Sequence, residues 1–187
     1  MIQRLDQLTG PVEVGKYYFV PTVRGEWDGK VRDWPVIGPK HNDSHCLDFH
    51  DDHYHFDARF MPGGHDDDEW YWRRAFAAPL MINEDGTKDG GLPAPIWKRR
   101  RCRRLANPFF AHMQELADRH PTWNCHFKYW EGKQARRDAR GWVCPHRNVP
   151  LADQAPDSGG VIFCPLHLLA IDAKTGKVLP AMKAVPA

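Results

Sequence analysis

The sequence predicts a mainly antiparallel β fold with a single helix, and three features carry that prediction. Sixteen prolines and fifteen glycines are scattered without period through 187 residues, which suits many short elements joined by turns and disfavours a helix bundle. The apolar runs are short, rich in β-branched and aromatic residues, and bounded by turn formers. Only one stretch keeps apolar residues at sustained helical spacing.

In chain order, "VEVGKYYFVPTVR" at 12–24 has the composition of a strand or hairpin. "WPVIG" at 34–38 and "HYHFDARF" at 53–60 have the character of further short strands. "APLMINEDGTKDGGLPAPI" at 78–96 is turn-forming throughout, so a loop or subdomain boundary belongs there. It separates a β-rich region, 1–94, from a second domain, 95–187. Asn107 followed by Pro108 is an N-cap and an N1 proline, and Phe109, Phe110, Met113 and Leu116 recur at helical spacing, predicting a helix over 108–119. Four β-like runs follow: "CHFKYWEG", "GWVCP", "GVIFCP" and "LLAIDAKTGKVLP". Within the last, "AKTG" reads as a hairpin turn whose glycine takes a positive φ. No internal repeat of fold-defining period is present.

A formal charge of +2 argues for no particular partner. The N-terminal residues carry charges throughout without an apolar signal-peptide core, and no stretch reaches membrane-spanning length. The expectation is a soluble, cytoplasmic protein. Five cysteines make an odd number, which disfavours a disulfide framework and favours metal or redox use. Cys46, Cys102 and Cys125 stand as single thiols, for which buried packing is expected.

The chemistry concentrates in "CPHRNVPLADQAPDSGGVIFCPLH" at 144–167. Cys144 and His146 form C-x-H, and Cys164 and His167 form C-x-x-H after a long loop. Two thiolates and two imidazoles from two loops supply four ligands for one metal centre. A zinc site normally groups its cysteines before its histidines. Here the two types are interleaved, which suits a two-iron cluster in which each loop gives its cysteine to one iron and its histidine to the other. Zinc remains the alternative.

The spacing C-x-H-x₁₇-C-x₂-H closely resembles the Rieske [2Fe–2S] family. "GWVCPHRNVPL" and "GGVIFCPLH" are similar to the family's two strand-to-loop passages, and "LLAIDAKTGKVLP" to its exit hairpin, over roughly residues 125–187. The resemblance implies a β-sandwich or small barrel with cluster loops at 144–149 and 164–169. It assigns Cys144 and Cys164 to the inner iron and His146 and His167 to the outer one. Two glycines common in the family are replaced by Asn148 and Leu168; Asn tolerates a left-handed backbone, Leu does so poorly. Val149 and Leu166 stand where high-potential relatives carry a disulfide, and Leu169 and Ile171 where those relatives carry Ser and Tyr hydroxyls. The resemblance therefore implies a low-potential centre.

"HNDSHCLDFHDDHYHFDARFMPGGHDDDEW" holds six of the eleven histidines. On a strand, His53, His55 and Asp57 would share a face and could form a facial iron site, the basis of a metalloenzyme alternative. Rieske oxygenases, however, place a catalytic domain after the cluster domain with a D-x₂-H-x₄-H spacing. Twenty residues follow His167, and that spacing does not occur. A polar, hydrogen-bonded strand face is the expected role.

"WKRRRCRRL" at 97–105 puts six cations in seven positions, more than one face of any element can hide. Intramolecular pairing with acids such as Asp66–Glu69 is the first expectation, an acidic redox partner or anionic ligand the second. Nucleic acid comes third, because only Trp97 adjoins the run and acidic stretches such as Asp66–Glu69 offset its charge in the chain as a whole. The sequence thus points to an iron–sulfur protein carrying one electron to or from an oxygenase or reductase partner. A cluster-containing binding or regulatory module is the reading from another class.

Overall fold

The computed structural model describes residues 1–27, 30–40, 53–61, 94–105, 127–166 and 169–180. They fall into two compact units: the first takes 1–5, 13–27, 30–40, 53–61 and 94–105, the second 6–12, 127–166 and 169–180. The expected helix at 108–119, the loop over 78–93, the acidic run 66–69, Cys46 and Cys125 lie outside the described residues. Among the described residues, no helix is long and apolar enough to cross a membrane.

The first unit is a four-stranded antiparallel sheet of β1 (Tyr17–Trp27), β2 (Lys30–Lys40), β3 (His53–Phe56) and β4 (Ile96–Arg101), in the order β3-β2-β1-β4. β1 is long enough to serve two neighbours. Its first half pairs with β4, from Tyr17↔Arg101 to Thr22↔Ile96, and its second with β2, from Thr22↔Pro35 to Trp27↔Lys30. The period of two decides which face is buried: Tyr18, Val20 and Thr22 are buried while Tyr17 is exposed. The Thr22 hydroxyl donates to the Val20 carbonyl at 3.0 Å, so its burial leaves that donor satisfied. Phe60 packs on the same side, its ring edge to face with that of Tyr18 at 6.1 Å, whereas Val23, its partner Trp34 and Val36 are buried on the opposite face, so both faces of the sheet are covered where β1 meets β2.

Three sequence expectations change here. The strand at 34–38 is part of a longer one, Lys30–Lys40. The strand expected over 53–60 stops at Phe56, because Asp57 caps a 3-10 turn, Ala58–Phe60, by accepting the Arg59 backbone N–H. The boundary near 94 does not separate the basic run from the N-terminal strands, since β4 pairs with β1 along its whole length.

The second unit carries β5 (Arg136–Arg137) paired with β6 (Trp142–Val143), and β7 (Val161–Phe163) paired with β8 (Ala170–Asp172), all antiparallel. Isolated bridges Val143↔Pro150, Gln134↔Lys177 and Ile171↔Val178 extend these ladders. Phe127, Val143, Leu151, Ile162, Leu169, Ile171 and Val178 form its core. The run "CHFKYWEG" is not a strand: residues 127–130 are helical, and the Glu131 N–H donates to the Phe127 carbonyl at 2.9 Å. Alternation of Phe127 and Tyr129 suggests a strand, yet Phe127 is buried and Tyr129 is 66% exposed.

The exit hairpin forms as its sequence requires. Asp172 Oδ1 accepts from the backbone N–H groups of Lys174 and Thr175 and from the Thr175 hydroxyl, an Asx-type turn. Gly176 closes it at φ +73°, the left-handed region expected of that glycine.

Candidate metal centre

Both cysteine loops cap antiparallel ladders, and both close in the same way. Cys144 follows β6 directly, and its N–H donates to the Val149 carbonyl at 2.9 Å before the chain returns through the Val143↔Pro150 bridge. Cys164 follows β7 directly, and its N–H donates to the Leu169 carbonyl, again at 2.9 Å, before the chain returns as β8. In each case the acceptor lies five residues on. A strand pair thus fixes the base of each loop.

The first arc has a further constraint. The Asn148 N–H donates to the Cys144 carbonyl at 3.0 Å, and Asn148 has φ 55°, the one positive value among the described non-glycine residues. Its amide side chain makes it one of the few L-residues that occupy this region readily, so asparagine fills the place where the resemblance leads one to look for glycine. Leu168, the other replaced glycine, lies outside the described residues.

Cys144 and Cys164 are both fully buried, and their thiols are hydrogen-bonded to each other. That contact holds the Cys144 thiol below its ordinary pKa, backbone N–H groups of His146 and Arg147 add to the effect, and burial opposes it. Backbone donors aimed at a buried sulfur favour the thiolate, which is the metal-binding form. Cys102, by contrast, is raised by burial and stays a packing thiol. All three described cysteines are free of disulfides.

The His146 ring lies 5.5 Å from the Trp130 ring at 48°, and its Nδ1 atom is buried. Trp130 is in turn held by Lys133, whose ammonium sits 4.4 Å from its centroid and 3.2 Å from that of Tyr129. Neither aromatic was singled out from sequence, since only the helical turn at 127–130 brings Trp130 to the imidazole. His167 lies outside the described residues. Among the described residues no three His, Cys, Asp or Glu side chains form a complete metal-binding group; the pair in direct contact is Cys144 and Cys164.

At the second candidate site the Asp57 side chain is already engaged. Asp57 is fully buried against Arg59: Oδ1 accepts from the Arg59 backbone N–H and Nε, and Oδ2 accepts from Nη2 at 2.8 Å. Both carboxylate oxygens are therefore engaged by a guanidinium, and a metal would have to displace it. His53 and His55 lie on β3, opposite Lys40 and Ile37.

Two buried thiols in contact, one biased toward thiolate, beside a loop histidine with a buried ring nitrogen, fit the mixed sulfur and nitrogen donor set of a two-iron cluster. Residues 123–187 match the family model of the Rieske [2Fe-2S] domain. No curated protein and no solved structure matches the chain.

Proposed function

On the match of residues 123–187 to the Rieske [2Fe-2S] family model, we propose that Cys144, His146, Cys164 and His167 hold a cluster and that the protein carries one electron to or from a redox partner. A bound [2Fe–2S] centre supplies a one-electron couple. The observation that carries the reading is the paired, buried Cys144 and Cys164, each at the base of a loop closed by the same backbone hydrogen bond.

The chain's own residues do the rest. The two closures fix the backbone at each cysteine. The N–H groups of His146 and Arg147 stabilise negative charge on the Cys144 sulfur. Leu169 and Ile171, both fully buried, stand where the resemblance puts Ser and Tyr hydroxyls in high-potential relatives and offer none; without such hydrogen bonds the reduced state is less stabilised and the potential stays low. Trp130 packs against the His146 ring.

Film voltammetry on cluster-loaded protein tests the proposal. A reversible one-electron wave in the low-potential part of the Rieske range is expected. A fully loaded protein with no reversible wave would remove the carrier role and leave a structural or regulatory cluster.

A further inference from the structure

Strand pairing sorts the basic run into two populations that the linear sequence cannot distinguish. Lys98 and Arg100 project to the face that carries Tyr18, Val20 and Thr22. There Lys98 forms an ion pair with Asp33, and Arg100 Nη2 donates to the Asp33 carbonyl at 2.9 Å. Arg99 and Arg101 project to the opposite face and are exposed. Among the described residues neither forms an ion pair.

That outer face also holds aromatic rings. Directly opposite Arg101 on β1 is Tyr17, and opposite Arg99 is Phe19. Tyr17 is 44% exposed and Trp97, two residues before Arg99, is 36% exposed. The Arg99 guanidinium lies 4.2 Å from the Tyr17 centroid, and the Arg4 guanidinium 3.9 Å from that of Trp97. The sequence alone argued against nucleic acid on two grounds, that aromatics were not interleaved with the basic residues and that the whole chain, at +2, is not strongly basic. Pairing β1 with β4 supplies that interleaving in space.

We infer that this face of β1 and β4 binds single-stranded nucleic acid, its phosphates on Arg99 and Arg101 and its bases stacked on the Tyr17 and Trp97 planes. Alternate strand residues repeat about every 6.8 Å, so the cations form a row along which an extended phosphodiester chain can run. Stacked rings and guanidinium planes accept any base and select single strands over duplex. An acidic protein surface would use the cations equally well; what favours bases is that both rings keep exposed area beside the cations. This function is separate from the cluster and does not depend on it.

Fluorescence anisotropy of the cluster-loaded full chain with labelled oligo-dT and oligo-U tests the inference, the two probes separating DNA from RNA. Binding is expected to weaken with salt, and the Arg99→Ser/Arg101→Ser variant is expected to reduce the slope of log affinity against log salt by about 1.4. Trp97→Ala should weaken binding about tenfold. Lys174→Ser/Lys177→Ser removes the same charge from exposed sites on the exit hairpin and should change affinity less than about twofold. Visible absorption and circular dichroism of each variant verify that it is folded. Three results would each overturn the inference: no binding to either oligonucleotide, equal losses from the two double variants, or polyglutamate competing as well as oligonucleotide with no effect of Trp97→Ala.

Discussion

Replacing Gly176 with alanine perturbs two things at once, and their sizes can be worked out separately. Gly176 sits at φ +73°, where an L-residue costs about 1–2 kcal/mol. An added Cβ would also lie 2.5 and 2.6 Å from Cζ3 and Cη2 of Trp142 and 2.7 Å from Gln134 Nε2. Overpacking of this kind costs about 1–3 kcal/mol, so the total loss should be about 2–5 kcal/mol. The ring cannot easily retreat, because Trp142 Nε1 donates to the Ala173 carbonyl at 2.8 Å and Gln134 Nε2 to the Thr175 carbonyl at 2.7 Å. Trp142 lies two residues before Cys144, so strain there reaches the first cysteine loop. Urea unfolding followed by circular dichroism reads the loss. Gly176→Asn keeps the collision while easing the backbone cost, and should fall between wild type and alanine. Trp142→Phe removes the colliding atoms, so the Trp142→Phe/Gly176→Ala double variant should lose less than the two single losses combined. A Gly176→Ala loss below about 0.5 kcal/mol, within the range of an ordinary surface change, or strict additivity in the cycle, would refute this account of the hairpin contact.

Asn148→Val should cost about 1–2 kcal/mol in unfolding experiments, because φ 55° is hostile to a β-branched residue, whereas Asn148→Gly should leave stability nearly unchanged. Leu169→Ser should destabilise the domain by about 2–4 kcal/mol, since Leu169 is fully buried. In the loaded fraction, a hydroxyl that bonds the cluster about 1 kcal/mol better when reduced would raise the potential by about 40 mV, measured by voltammetry. The Asp172 carboxyl is held below its usual value, first by the Thr175 N–H and then by the Thr175 hydroxyl. A carboxyl depressed in the folded state stabilises the hairpin above its unfolded pKa, about 3.9, and that contribution is lost as pH falls through the folded value. Hydrogen exchange at 172–178 should therefore accelerate, relative to the unfolded rate, below about pH 4 in wild type, and Asp172→Asn should abolish this dependence.

The cysteine loops were legible because their signal is local. Ligand spacing, the strand before each cysteine and the Asp-Thr-Gly exit turn are all short-range features, and the structure reproduces the strands and the turn. Asn148 was readable for the same reason: backbone handedness follows from one residue's sterics. What escaped depends on pairing between distant segments. Nothing local shows that 96–101 is a strand, because its side chains are cationic and its partner β1 lies some eighty residues earlier. Asp57 looked available for a metal until Arg59, two residues on, was seen to occupy both its oxygens. Trp130 was hidden by an alternation that mimicked a strand, and only the helical turn turned its ring toward His146.

Iron and acid-labile sulfide analysis of the purified protein, made together with its visible spectrum and repeated on Cys144→Ala and Cys164→Ala, tests the central claim most directly. The account predicts about two irons and two sulfides per chain with a Rieske-type spectrum, and loss of both elements in either variant. Zinc in place of iron from anaerobically purified protein, or a full complement of iron and sulfide retained in a cysteine variant, would contradict it.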